Sequence, residues 1–168
     1  MRFRMISLVA FLFIVAVSTP AQDPAGKLEK ASLKGMSRVS VVVTTTPQAE
    51  QDGLTSEYIK IEVEARLRTA GIKVIEKGEW TTDDGILSVT ISALPIEKLP
   101  LYACSFTLDL KQAVTALRDR NSRMMGATWQ AGGIAAFGRT QFKEAVKRNT
   151  VEFVESFISD YKAANPQK

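Results

Sequence analysis

The stretch LYACSFTLDLKQAVTAL, residues 101–117, decides the fold. Every second position carries an apolar side chain, namely Tyr102, Cys104, Phe106, Leu108 and Leu110. This period of two predicts a strand with one buried face. The alternation continues through Val114 and Ala116, so the predicted strand is longer than the five or six residues that are common.

Other strands and two helices are predicted around this stretch. Strand patterns occur in SRVSVVVTTT (37–46), IKVIE (72–76), ILSVTISAL (86–94) and MGATWQA (125–131), the last being the second arm of a hairpin whose turn is RDRNSR. Helical spacing occurs over 54–71 and 140–165. The order β-α-β-β-β-β-α predicts an α+β fold, with a mostly antiparallel sheet and two helices packed on one face.

The start of the chain has the layout of a secretory signal peptide. Arg2 and Arg4 precede an apolar run over 6–17, and small residues follow up to Ala21. We expect residues 1–21 to be a signal peptide cleaved after Ala21, with retention as a membrane anchor as the alternative. Residues 22–36 are then a linker, and 37–165 form a single α+β domain. The expected location is periplasmic or secreted.

Charge and composition bear on partners. Loss of the two leader arginines lowers the formal net charge from +4 to +2. Lysine and glutamate alternate in segments such as KLEKASLK, whereas proteins that bind phosphate backbones concentrate their cations on one face. We therefore expect no nucleic-acid partner and, after cleavage of the leader, no stable membrane span.

The element order and the stretch VEARLRTAGIKVIE (63–76) resemble small periplasmic domains of bacterial envelope assemblies. These include the N-terminal domain of TolB and the related domains of curli-channel-like and ABC-transporter auxiliary lipoproteins, and the resemblance covers about residues 37–164. It implies a binding or assembly module and not an enzyme, with another envelope protein or a second copy as partner. The chain lacks the lipobox cysteine that several of these proteins carry.

The residue types needed for most catalysis are scarce. The chain contains no histidine, which is the commonest general base and metal ligand, and its one cysteine, Cys104, belongs to the apolar face of a strand. Asp83 and Asp84 lack the further ligands of a calcium loop and predict a polar turn. We expect no catalytic residue, no metal site and no cofactor.

GIAAFGRT, residues 133–140, differs at one position from the phosphate loop G-x-x-x-x-G-K-[ST]. Phosphate loops follow parallel strands, whereas this one follows the arm of a predicted hairpin. We interpret it as a connection in which Gly132 and Gly133 let the sheet edge bend and Thr140 caps the following helix.

The predicted helix over 54–71 has two apolar stripes on opposite sides. One contains Tyr58 and Ile61, and the other contains Ile59, Val63 and Leu67. Since a surface helix usually shows one stripe, the second requires cover from another helix of this chain or from a partner.

The candidate interaction residues are therefore Ile59, Val63, Leu67 and the loop residue Trp80, which is either an exposed contact or an anchor for its loop. Two functions follow. The first is an exported, non-enzymatic interaction module of the cell envelope, which binds a partner or itself through the second stripe of the helix over 54–71 or through an exposed sheet edge. The alternative is a periplasmic domain that binds a small molecule or a lipid in a pocket under the C-terminal helix.

Overall fold

The computed structural model describes residues 24–76 and 79–166. The signal peptide expected over 1–21 lies outside the described residues, so its cleavage and its retention both stay predictions. Among the helices that are described, none is both long and apolar enough to cross a bilayer.

The described residues form five strands and four α-helices. The strands are β1 Arg38–Thr45, β2 Lys73–Ile75, β3 Gly85–Pro95, β4 Leu101–Ala116 and β5 Asp119–Gly138. The helices are α1 Pro24–Ser32, α2 Pro47–Gln51, α3 Ser56–Thr69 and α4 Phe142–Ala164, with a 3-10 turn over Arg139–Gln141 before α4. The predicted element order is therefore present, with α1 and α2 added to it.

The strands form one sheet in the order β2-β1-β3-β4-β5. β1 runs parallel to β2 and to β3, while β4 pairs antiparallel with both β3 and β5. The two antiparallel pairings are the longest, and helices α3 and α4 pack on the same sheet. The predicted α+β class with a mostly antiparallel sheet is confirmed.

The core lies between this sheet and the two long helices. The alternate residues of β3 and β4 are buried, namely Leu87, Val89, Ile91, Ala93, Tyr102, Cys104, Phe106, Leu108 and Leu110. Phe157 of α4 packs edge-on against Trp129 of β5 with 5.1 Å between ring centroids. Trp129 is buried, and its indole N–H donates to the Asp160 carboxylate at 3.1 Å.

The segment predicted as a linker, 22–36, instead forms helix α1 and joins the core over its described part. Leu33 and Met36 are buried. The Asn165 side chain at the end of α4 donates to the Leu33 carbonyl at 2.9 Å and accepts from the Gly35 amide at 2.7 Å. The apolar residues of this segment, Leu28, Leu33 and Met36 among them, have too little helical periodicity to predict this packing.

The second strand of the long hairpin also differs from the prediction. The turn is Leu117–Arg118, so the segment expected to be the turn begins β5. Leu110 pairs with Trp129 but Lys111 pairs with Ala127, which makes the intervening residue of β5 a bulge. A prediction that continues the alternation through this bulge places the residues beyond it on the wrong face of the sheet.

Candidate functional site

The predicted interaction stripe of α3 is part of the core. Ile59, Val63 and Leu67 are buried by the sheet and by α4 of the same chain, so the prediction that they bind a partner is wrong. In the opposite stripe, Ile61 is exposed, while Tyr58 is partly buried against the core. Both stripes have apolar residues at helical spacing, so the sequence could not show which one faces the sheet.

The outward surface between α3 and α4 is covered by ion pairs. Glu62 accepts from Lys147 at 3.0 Å and from Arg66 at 3.2 Å, and Arg66 also contacts Glu155 at 3.1 Å. The hydrogen bond from Lys147 is the largest cause that lowers the pKa of Glu62, and the same bond raises the pKa of Lys147. This surface therefore joins the two helices and offers no apolar docking site.

Trp80 lies half-buried in the loop before β3. Its indole Nε1 is buried and has no hydrogen-bond partner among the described residues. Burial of part of the ring fits a loop anchor, while a role in contacting a partner stays a prediction.

The described residues contain no group of three histidine, cysteine or acidic side chains placed to hold a metal ion. Cys104 is buried, and burial raises the pKa of its thiol to about 11. A thiol with so high a pKa carries almost no thiolate at neutral pH, and the thiolate is the nucleophile.

Asp84 belongs to a structural ion pair. It is buried, and its carboxylate accepts from Arg38 Nε at 2.7 Å, from Arg38 Nη2 at 2.8 Å and from the Thr81 amide at 2.7 Å. Burial alone would raise the pKa of Asp84, but the hydrogen bonds from Arg38 and Thr81 outweigh it and the pKa is lowered. The predicted turn is thus fixed to the start of β1.

The alternative function requires a cavity under α4. The gap between α4 and the sheet, lined by Val89, Phe106, Thr150 and Phe153 among others, is about 160 Å³ and has no room for a water molecule. Sites for small molecules occupy roughly 300–1,000 Å³. The aromatic side chains of the two layers fill the space in which this alternative places a ligand.

GIAAFGRT is the end of an antiparallel edge strand. Gly132 and Gly133 keep a regular register with Thr107 and Phe106, so no bulge occurs there. A Cβ on Gly132 would lie 2.4 Å from the Phe106 carbonyl oxygen, so this glycine permits a close approach of two backbones. Thr140 lies in the 3-10 turn, and the residue that precedes α4 is Gln141, without a side-chain cap.

The outer edge of β5 is a candidate interaction surface. No described strand pairs with that edge, since β5 is the last strand of the sheet. Helix α1 packs against the first part of this edge: Ser32 Oγ donates to the Thr128 carbonyl at 3.0 Å, and Glu29 lines a depression together with residues 130–134. Beyond this contact lie residues 131–138, which we name the open edge. The segment 126–138 has no charged residue.

The face of the sheet opposite α3 and α4 carries exposed apolar residues. Ile134 of β5 is 87% exposed, and Leu94 of β3 is also exposed. They lie on either side of β4, where a depression between them is lined by Ser92, Ala103 and Ser105. An apolar residue beside an open strand edge gives a second strand both hydrogen bonds and apolar contact.

The end of the β4–β5 hairpin projects beyond the sheet. Lys111, opposite Ile86, is the last β4 residue with a partner on β3. From there to the turn, β4 pairs with β5 alone. We name residues 111–125 the hairpin arm. Its tip residue Leu117 is 98% exposed, while Met124 and Met125 are 49% and 45% exposed.

Cations are concentrated on the hairpin arm. It carries four, Lys111, Arg118, Arg120 and Arg123, and one carboxylate, Asp119, which gives a net charge of +3. None of the four forms an ion pair with any residue in the described ranges.

No protein-family model and no curated protein matches the chain. Two solved structures are similar in part. A PelC dodecamer from Paraburkholderia phytofirmans is 14% identical with a TM-score of 0.44, and the match covers 75% of this chain and 87% of that one. A minor lipoprotein from Acinetobacter baumannii is 11% identical with a TM-score of 0.41, covering 77% of this chain and 93% of that one.

Sequence reasoning thus proposed an exposed sheet edge without locating it, and it missed the hairpin arm. The signal for the open edge is the uncharged run over 126–138, which is unusual beside a turn as charged as RDRNSR. The signal for the hairpin arm is the alternating pattern over 101–117, which is longer than the strand predicted over 86–94.

Proposed function

We propose that this chain is an exported, non-enzymatic assembly module that pairs with a second copy of itself along the open edge. Residues 131–138 of one copy lie antiparallel to the same residues of the other. The observation that carries the proposal is an uncharged, unpaired edge with Ile134 exposed beside it.

The chemistry of the edge supports this role. Monomeric proteins protect edge strands with charges, prolines or bulges, because unpaired backbone groups bind other strands. Residues 131–138 contain neither a charge nor a proline, and their register with β4 is regular. An antiparallel pair of identical strands is two-fold symmetric, so one edge supplies both sides of the interface.

The remaining parts of the proposal rest on other residues. The arginines and the apolar run of the leader favour export to the periplasm or the medium. The absence of histidine and the high pKa of the Cys104 thiol favour a role without catalysis.

The test is the mass in solution of residues 22–168, measured by light scattering over a range of concentrations. Residues 22–168 contain every helix and strand that the structure describes. We expect a dimer. Ile134→Lys places like charges close together across the two-fold axis, and we expect it to be monomeric.

Leu94→Lys is the matched control. It adds the same charge to the same sheet face, but on β3, which has neighbours on both sides. We expect this variant to remain dimeric. A wild-type chain that is monomeric at every concentration would exclude the proposal, and so would equal dissociation of the two lysine variants.

A further inference from the structure

We infer that the hairpin arm docks on the surface of an anionic phospholipid bilayer. Its cations bind lipid phosphates, while Leu117 and the neighbouring methionines enter the boundary between headgroups and acyl chains. The inference concerns a different surface from the open edge and does not depend on it.

The first argument is the separation of charge within the molecule. The hairpin arm has a net charge of +3, whereas the whole chain without residues 1–21 has +2, so the remainder is slightly acidic. Three of the five arginines of the domain body, Arg38, Arg66 and Arg68, form ion pairs. The arm cations have no such partner among the described residues, so their donors are available to an external anion.

The second argument is the chemistry of those donors. Three of the four cations are arginines, and a guanidinium binds phosphate oxygens through two parallel hydrogen bonds. Arg118 belongs to the turn and Arg120 follows it by two residues, so both lie at the tip. A surface rich in phosphate is therefore the complementary partner.

The third argument is the exposed apolar tip. Leu117 is 98% exposed, and Met124 is 49% exposed on the strand that returns from the turn. Apolar side chains among cations are the pattern of segments that bind membrane interfaces, where the charges remain at the headgroups. If the tip of the arm contacted only water, its apolar side chains would be exposed without any stabilising contact.

Shape favours a bilayer over a folded partner or a nucleic acid. Five residue pairs from Gln112 to Ala116 extend the ribbon by about 16 Å beyond the sheet. Two paired strands of this length present a face of roughly 16 by 10 Å, well below the roughly 800 Å² per partner of a stable protein interface. Single-stranded nucleic acids are bound by stacking on aromatic rings, and residues 111–125 contain none.

The test is co-sedimentation of residues 22–168 with vesicles of phosphatidylcholine, with and without phosphatidylglycerol. We expect binding only to the anionic vesicles, and weaker binding as salt increases. Binding to neither vesicle, or equal binding to both, would overturn the inference.

Variants locate the surface. Arg118→Gln with Arg120→Gln should lower the partition coefficient on the order of tenfold or more, since each cation near the surface contributes substantially to binding. Leu117→Ser leaves the charge unchanged and should lower it about three- to tenfold.

The control Lys98→Gln with Arg148→Gln removes two exposed cations outside the arm and should bind as the wild type does. If this control lost as much vesicle binding as the arginine pair variant, binding would depend on net charge alone, and the assignment to the arm would be refuted. The same series in the Ile134→Lys background separates this inference from self-pairing, because a monomer should still bind vesicles.

Discussion

Asp84 is the buried carboxylate on which the attachment of the loop before β3 depends. It accepts four hydrogen bonds, two from Arg38 and two from Thr81. Its pKa is lowered, so the folded state takes up the proton at lower pH than the unfolded state does. The stabilisation is therefore complete above the unfolded carboxyl pKa of about 3.9 and is lost as pH falls through the folded value.

Asp84→Asn should lower the free energy of unfolding by about 1–3 kcal/mol at neutral pH, because Arg38 loses its charged partner. The difference from wild type should shrink on acidification, since only the wild-type carboxylate titrates. Urea unfolding at neutral pH and near pH 3 measures both effects. The control is Asp83→Asn, at the exposed neighbouring position, which should change stability little at either pH. If the difference in stability between Asp84→Asn and wild type grew in acid, this account would be contradicted.

At the scale of elements, α1 is the part of the domain that the sequence pattern concealed. The position of α1 and the residues after it is fixed by contacts with the end of α4. The Asn165 side chain bonds to the backbone of this segment, and the Tyr161 hydroxyl donates to the Met36 carbonyl at 3.0 Å. Lys30 contacts Asp160 at 3.0 Å. The N-terminal helix and the end of α4 therefore stabilise each other.

Leu33→Ala should destabilise the domain by about 2–5 kcal/mol, the usual cost of truncating a fully buried leucine. Leu28→Ala is its control, because Leu28 lies on α1 itself and is exposed; its effect should stay within about 0.5 kcal/mol. Thermal or urea unfolding compares them. Equal, small effects of the two substitutions would mean that residues 24–36 form a linker after all.

The same scale shows how far sequence reasoning reaches. Alternation predicted β1, β3 and β4, because alternate residues are buried along β3, along β4 as far as Leu110 and at the start of β1. Alternation failed to predict the residues of β5 beyond the bulge. A residue without a partner shifts the alternation by one position, and no residue type in the sequence indicates where this happens. Sequence reasoning could not orient α3, because the choice between two apolar stripes depends on the sheet and α4, which are distant in sequence.

At the scale of the whole molecule, the two proposed surfaces have a joint consequence. In an antiparallel pair of β5 strands the two hairpin arms lie at opposite ends of a continuous sheet. One flat bilayer then contacts one arm, and the other arm is available to a second bilayer.

A dimer of residues 22–168 should therefore cluster anionic vesicles, which turbidity detects. Ile134→Lys should bind the same vesicles without clustering them, because it has one arm. The arginine pair variant, Arg118→Gln with Arg120→Gln, should do neither. Clustering by the monomeric Ile134→Lys variant would contradict the proposed arrangement of the arms.

Cys104 lies in β4 between Ala93 of β3 and Ala135 of β5, and no other cysteine exists in the chain. Its side chain is buried on the face of the sheet that packs against the helices, so a thiol-reactive dye can modify the protein only after the layers or the strands around Cys104 separate. The rate of modification reports how often this part of the core opens, without any engineered label. Pairing along 131–138 would hold β5 in place, so that rate also reports assembly as protein concentration increases.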